Sequence, residues 1–152
     1  MTNTNALLNK TENGFNTLKV SKKYVDSSLK WLETWLTDDA FKDYVPQITY
    51  LIEAEKWAFL LDSFYQLIPF GTGGRRGLVG VGPNRINTWT IQASAQGHSQ
   101  YLIRQYGEQA RQRGVVLAFD VRKYIQKGIY DEALANPVMN LDGRRLANAA
   151  AA

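Results

Sequence analysis

The sequence predicts an α/β chain in two parts: a helical segment over residues 1–69, then a Gly- and Arg-rich α/β segment over residues 70–152. Three observations predict it. Apolar residues recur at three- and four-residue intervals through much of Val25–Gln66, the spacing of helices with one buried face. The texture changes at Pro69, and six glycines then fall between Gly71 and Gly82. Val115–Phe119 is an unbroken apolar run after Gly114, the pattern of a strand buried on both faces in a parallel sheet.

In chain order, residues 1–24 are polar without a sustained period, and Met1–Lys10 reads as a frayed end. Val25–Leu36 reads as a helix capped by Ser27 or Ser28, with Leu29, Leu32 and Leu36 on one face. Thr37-Asp-Asp ends it and offers a new cap, and Pro46 marks a break or a helix start. Gln47–Gln66 reads as one or two helices. Trp31, Trp35 and Trp57 are expected to be packing residues. Leu78, Val79 and Val81 suit a short strand or hairpin arm over Gly77–Gly82. Asn87 or Thr88 then caps a helix whose buried face is Ile91, Ala95, His98, Leu102 and Tyr106. Gly97 inside that helix implies close packing, and Gly114 ends it. Lys123–Leu141 is a long connection, and Asp142 caps a final helix containing Leu146. The alanine-rich end reads as an interruption of that helix.

Composition narrows the chemistry. The hydrophobic fraction is 45%, that of a globular chain, and no apolar run approaches the roughly 20 residues of a membrane span. The opening Met1-Thr-Asn-Thr-Asn lacks a secretory pattern, so a cytoplasmic setting is the default expectation. Cysteine is absent, which excludes disulfides, thiolate metal sites and a cysteine nucleophile. Residues 1–70 carry seven Lys, no Arg and nine acids, whereas residues 71–152 carry nine Arg, two Lys and five acids. Guanidinium forks suit phosphate oxygens, so the second part reads either as a phosphate-handling surface or as a basic solvated face. Nucleic acid is a weaker partner class, since there is no aromatic RNA-binding motif, zinc finger or long basic stripe.

Gly71-Thr-Gly-Gly-Arg-Arg-Gly is not a P-loop, because no Gly-Lys-Ser/Thr follows, and Arg76 stands where a dinucleotide fingerprint needs its third glycine. Exposed backbone N–H groups beside Arg75 and Arg76 would make an anion cradle. Asp120 and Arg122 follow the apolar run, at the strand end where ligands gather in open α/β sheets. His98, the only histidine, reads as a core or boundary residue. No serine sits in a nucleophile motif.

The longer string is more specific than its parts. Phe70-Gly-Thr-Gly-Gly-Arg-Arg-Gly, Val81-Gly-Pro-Asn-Arg-Ile-Asn, Gln96-Gly and Val115-Val-Leu-Ala-Phe-Asp-Val-Arg122 occur in one order. In that order the chain resembles the N-terminal portion of the α-D-phosphohexomutase superfamily, in its phosphoglucomutase/phosphomannomutase or phosphopentomutase branch. The resemblance covers about residues 25–152. It implies a helical N-terminal extension over 1–69 and an incomplete three-layer α/β/α first domain over 70–152. It also implies a mutase that moves a phosphoryl group between C1 and C6 (or C5) of a sugar through a phosphoserine and a bisphosphate intermediate.

By the resemblance, Arg76 supports catalysis near the phosphoserine, Thr72 and Gly73 stand beside it in the loop, and Arg122 binds phosphosugar with Asp120 orienting it. Asp120–Arg122 as a plain structural ion pair stays open. Arg85 and Asn87 are expected to close the loop and cap the helix. Arg75 departs from the family, which often has an apolar residue there. The family's phosphoserine pattern and DGD-x-D-R metal loop have no match in the chain. Mg²⁺ and a sugar bisphosphate would therefore belong to the full-length parent, and the fragment itself is expected to be inactive. Its partners would be a sugar phosphate and the rest of its own polypeptide, with no membrane. The alternative is a small non-enzymatic module that binds phosphosugars or other anions.

Overall fold

The computed structural model describes residues 4–125 and 127–152. The expected frayed end falls partly on residues 1–3, outside the described residues. From Thr4 onward it is overturned: α1 spans Thr4–Asn16 and buries Leu7, Thr11, Gly14 and Phe15. That stripe has helical spacing, but half of it is Thr and Gly, so hydrophobic periodicity alone misses it. Thr11 is silenced by donating its hydroxyl to the Leu7 carbonyl at 2.8 Å. Gly14 leaves room for the Trp57 indole, which a Cβ there would meet at 2.3 Å.

Helix α2 spans Lys22–Thr37 and buries Val25, Ser28, Leu32 and Trp35. Its start is at Ser21, not at Ser27 or Ser28. Those two serines lie inside the helix and face the segment Leu61–Tyr65, where Ser27 donates to the Tyr65 carbonyl at 2.8 Å and Ser28 to that of Leu61 at 3.4 Å. Asp38 does act as a cap: its carboxylate accepts from the Ala40 N–H and opens a 3₁₀ turn over Asp39–Tyr44. Pro46 sits in the first turn of α3, Val45–Glu53, where its missing N–H costs nothing. Helix α4 follows over Trp57–Phe64.

These helices enclose an aromatic cluster. Trp35 is fully buried, stacked on Phe41 at 4.3 Å between ring centroids. Tyr44, Phe64 and Trp89 meet its ring at 4.9, 5.6 and 5.7 Å. Trp31 and Trp57 pack against the same core, as expected of all three.

After Pro69 the strands are short. β1 (Phe70–Gly71) and β2 (Gly74–Arg75) form an antiparallel hairpin, Phe70 opposite Arg75 and Gly71 opposite Gly74. The expected strand over Gly77–Gly82 reduces to one bridge between Val79 and Ile86, with Val79 and Val81 buried. Helix α5, Thr88–Tyr106, begins at Asn87 through a capping box with Thr90. It ends at Gly107, ahead of the expected stop, because Gly107 takes φ 55°; the short α6, Glu108–Arg113, carries the chain on to Gly114.

Two expectations fail here for one reason. The predicted buried face of α5 is largely open: His98 and Tyr106 are exposed, and nothing lies within 4 Å of a Cβ added at Gly97. Val115–Phe119 forms no strand, and Val116 is 95% exposed. A central strand needs neighbours on both edges and layers on both faces, and the described residues supply neither.

Beyond it, β3 (Lys123–Tyr124) pairs antiparallel with β4 (Leu141–Asp142). The Asp142 carboxylate caps α7, Gly143–Ala151, by accepting from the Arg145 N–H at 2.8 Å. The connection between β3 and β4 is held by buried Gln47. Its amide donates to the Asp131 carbonyl at 2.9 Å and accepts from the Asp131 N–H at 3.1 Å. The described residues thus form a mixed, mainly helical structure with two separate two-stranded ladders, compatible with α/β. The core joins the N-terminal helices to Val79, Val81, Tyr130, Val138 and Leu141.

The open apolar face has a measurable consequence. Val116 and Val121 are almost wholly exposed, beside half-exposed Val115, Leu117 and Phe119. Contiguous apolar surface on backbone that no strand pairs promotes association. The chain should therefore self-associate at micromolar concentration in sedimentation velocity. Val116→Lys should shift it toward monomer. A monodisperse wild-type monomer would contradict this.

Candidate anion-binding site

The Gly-rich segment folds as the β1–β2 hairpin, with Thr72 and Gly73 at its exposed turn. Gly74 takes φ 119°, which side-chain-bearing residues avoid. Arg76 reaches back over this turn, so that its Nη2 lies 3.9 Å from where a Gly73 Cβ would stand. Thr72, Gly73 and Arg76, named together from the sequence, are therefore together in space. Arg75 is partly buried, and its Nε and Nη1 are shielded from solvent with no hydrogen-bond partner.

The hairpin stands on a rigid base. Arg85 is 3% exposed, and its Nη2 contacts Asp62 Oδ2 at 2.5 Å while its guanidinium lies 5.2 Å above the Phe59 ring centroid. Asn87 donates to the carbonyls of Gly80 and Gly82, both at 2.9 Å, while its own oxygen caps α5. Arg85 and Asn87 thus close the loop and cap the helix, as expected. The Tyr130 hydroxyl accepts from the Val81 N–H at 2.9 Å, and burial pushes its pKa up to about 12, so it serves as a neutral strut. The Ile68 N–H donates to the Pro83 carbonyl at 2.9 Å, tying the hairpin stem to this loop.

Arg122 lies elsewhere. Its Nε donates to Asp120 Oδ2 at 2.7 Å, and its backbone N–H donates to Asp120 Oδ1 at 3.0 Å. These bonds hold the Asp120 carboxyl below the usual carboxylate range and the Arg122 guanidinium above its ordinary value. The expected contact between Asp120 and Arg122 is present, and it fits an orienting role and a plain structural ion pair alike. The pair opens onto a groove of about 440 Å³ lined by Ile91, Leu117, Tyr124 and Leu146. A second groove of about 510 Å³, edged by Phe70 and His98, shares Ile91 and Leu117 with it. Among the described residues no hydrogen bond or ion pair joins Arg122 to the hairpin.

Sequence reasoning missed Gly143. A Cβ there would lie 2.6 Å from the Asp120 carbonyl, and the Gly143 N–H donates to the Arg122 carbonyl at 3.3 Å. A glycine directly after a capping aspartate was the available signal. Among the described residues no group of three or more His, Cys, Asp or Glu comes close enough to hold a metal ion. No described helix is long and apolar enough to cross a membrane.

No family model matches the chain, and no solved structure does. Curated proteins do. The chain is 34% identical over 100 residues to a phosphopentomutase of Mus musculus, covering 66% of this chain and 15% of that one. It is 28% identical over 135 residues to a probable phosphoribomutase of Schizosaccharomyces pombe, covering 78% and 23%. It is 32% identical over 102 residues to a phosphoglucomutase of Staphylococcus saprophyticus, covering 67% and 16%. The matched stretch thus spans less than a quarter of each of these relatives. Relatives bearing these names make this chain, over part of its length, a homologue of the phosphohexomutase-type mutases.

Proposed function

We propose that the chain is the N-terminal, phosphate-recognising portion of a sugar-phosphate mutase. Such an enzyme moves a phosphoryl group between C1 and C6, or C1 and C5, of a sugar. The observation that carries the reading is the hairpin itself: Thr72, Gly73 and Arg76 come together on one exposed turn, in a chain whose relatives are named as mutases of pentose and glucose phosphates. Phosphoryl transfer draws mostly on positioning and on charge stabilisation at the transferred group.

In this reading Arg76 supplies a permanent positive fork at the transferred phosphoryl. The turn N–H groups of Thr72 and Gly73 add neutral donors. Arg122, oriented by Asp120, holds a second phosphate oxygen of the substrate from the neighbouring groove. A phosphoserine and Mg²⁺ would come from family segments that these 152 residues do not match, so no transfer step is assigned to residues of this chain. The chain alone is then inactive, and its partners are a sugar phosphate and the remaining mutase segments. The division near residues 68–70 and the layered first domain belong to this same reading.

Phosphorus NMR tests it. Glucose 1-phosphate and ribose 5-phosphate should each show line broadening with the purified chain, and neither should be converted overnight with Mg²⁺ and the matching bisphosphate present. Conversion by the chain alone would refute the assignment of the nucleophile elsewhere. Absence of any broadening would remove the phosphate-recognising role.

A further inference from the structure

Arg75 is unlike every other arginine in the structure. The guanidinium nitrogens Nε and Nη1 are both cut off from water, and neither has an acceptor. Arg85 also leaves Nε unpaired, but its other nitrogens are bonded to Asp62 and Asn84. Shielded donors on a permanent cation are costly unless an acceptor completes them.

Among the described residues no acceptor is bonded to these two nitrogens. Between Asp62 and Asp120 the sequence contains one carboxylate, Glu108. Asp62 is taken by Arg85, Glu108 lies 3.5 Å from Arg111, and Asp120 is held by Arg122. Among the described residues neither Arg75 nor Arg76 has an ion-pair partner. Two adjacent guanidiniums therefore share one glycine-rich hairpin without a counter-charge. Arg75 sits opposite Phe70 in the ladder, and Arg76 folds over the turn at Gly73. The hairpin is only two residue pairs long, and Phe70 is 73% exposed.

We propose that Arg75 is a second anion-binding guanidinium of this hairpin, which with Arg76 takes a phosphate-class dianion. The inference deepens the reading of the preceding section and rests on it only for what carries the phosphate. Occupancy by the dianion neutralises both cations and gives Arg75 the acceptors it lacks. A lysine at this position would keep the charge and lose the fork, so dependence on the guanidinium separates pairing from general attraction.

The test is a titration of the full chain with inorganic phosphate, followed by the backbone amide shifts of residues 70–77, at constant ionic strength. Saturable shifts at Thr72, Gly73 and Arg76 are expected. Arg75→Gln should weaken the midpoint about five- to tenfold, as loss of a charge-assisted bond does, with Arg75→Lys intermediate. Both variants should keep a cooperative thermal transition, so that the midpoints are compared on folded protein. An unchanged midpoint in Arg75→Gln would overturn the proposal, and so would the absence of saturable shifts in the wild type. Phosphate binding that depends on Arg75, with no affinity for sugar phosphates, would instead support this site and sink the mutase reading.

Discussion

Trp35→Ala should unfold the chain or bring it to the edge of unfolding, with a loss of about 3–5 kcal/mol in urea denaturation. Trp35 is fully buried and is the ring that the 3₁₀ turn, α4 and the start of α5 all meet. Truncation leaves a void that cannot collapse without moving three elements at once, and the cost of a core truncation rises with the cavity that remains. The indole also carries a liability: its Nε1 is buried without a partner. Trp35→Phe keeps much of the stacking surface and removes the unsatisfied donor, so it should cost far less than Ala. If Phe and Ala lose the same stability, the ring stack does not hold these helices together.

The helical half was legible wherever its buried stripes were apolar. Of the expected face Leu29, Leu32 and Leu36 in α2 only Leu32 is fully buried, the other two packing partly buried against the core, whereas Ile48, Leu51 and Ile52 in α3 and Leu60 and Phe64 in α4 fall at helical spacing and are all buried. Caps with short polar side chains were legible too: Asp38, Asn87 and Asp142 each accept a backbone N–H as their positions required. What was not legible was polar helix packing. The Thr11 hydroxyl folds back onto the Leu7 carbonyl of its own helix and that of Ser28 reaches across to the Leu61 carbonyl, and periodicity registers neither device. Val115–Phe119 shows the opposite limit. Its composition specifies a central strand, but composition cannot supply the neighbours that make a strand central. The same split runs through the candidate site. The Thr72–Gly73–Arg76 turn and the Asp120–Arg122 pair were readable as motifs, whereas the unpartnered donors of Arg75 depend on how the hairpin is seated.

Gly82→Ala should destabilise the chain by about 2–4 kcal/mol and weaken phosphate binding at the hairpin, although Gly82 touches neither arginine. Gly82 holds φ 114°, and a Cβ there would stand 2.5 Å from the Ser63 carbonyl oxygen at the end of α4. That oxygen also accepts the Asn84 N–H at 3.0 Å, so a methyl group forces the loop away from the helix and strains the bond at the same time. The displacement does not stay local. Asn87 reads the Gly82 carbonyl while capping α5, Pro83 accepts from Ile68 in the hairpin stem, and Arg85 needs Asp62 within reach. Gly97→Ala is the matching control. Gly97 lies inside α5 with nothing within 4 Å of the added carbon, so alanine should raise stability by up to about 1 kcal/mol through helix propensity. If Gly82→Ala leaves stability and phosphate affinity unchanged, the loop does not transmit its geometry to the hairpin. A loss of stability at Gly97 would mean that the α5 face, open among the described residues, is covered in solution.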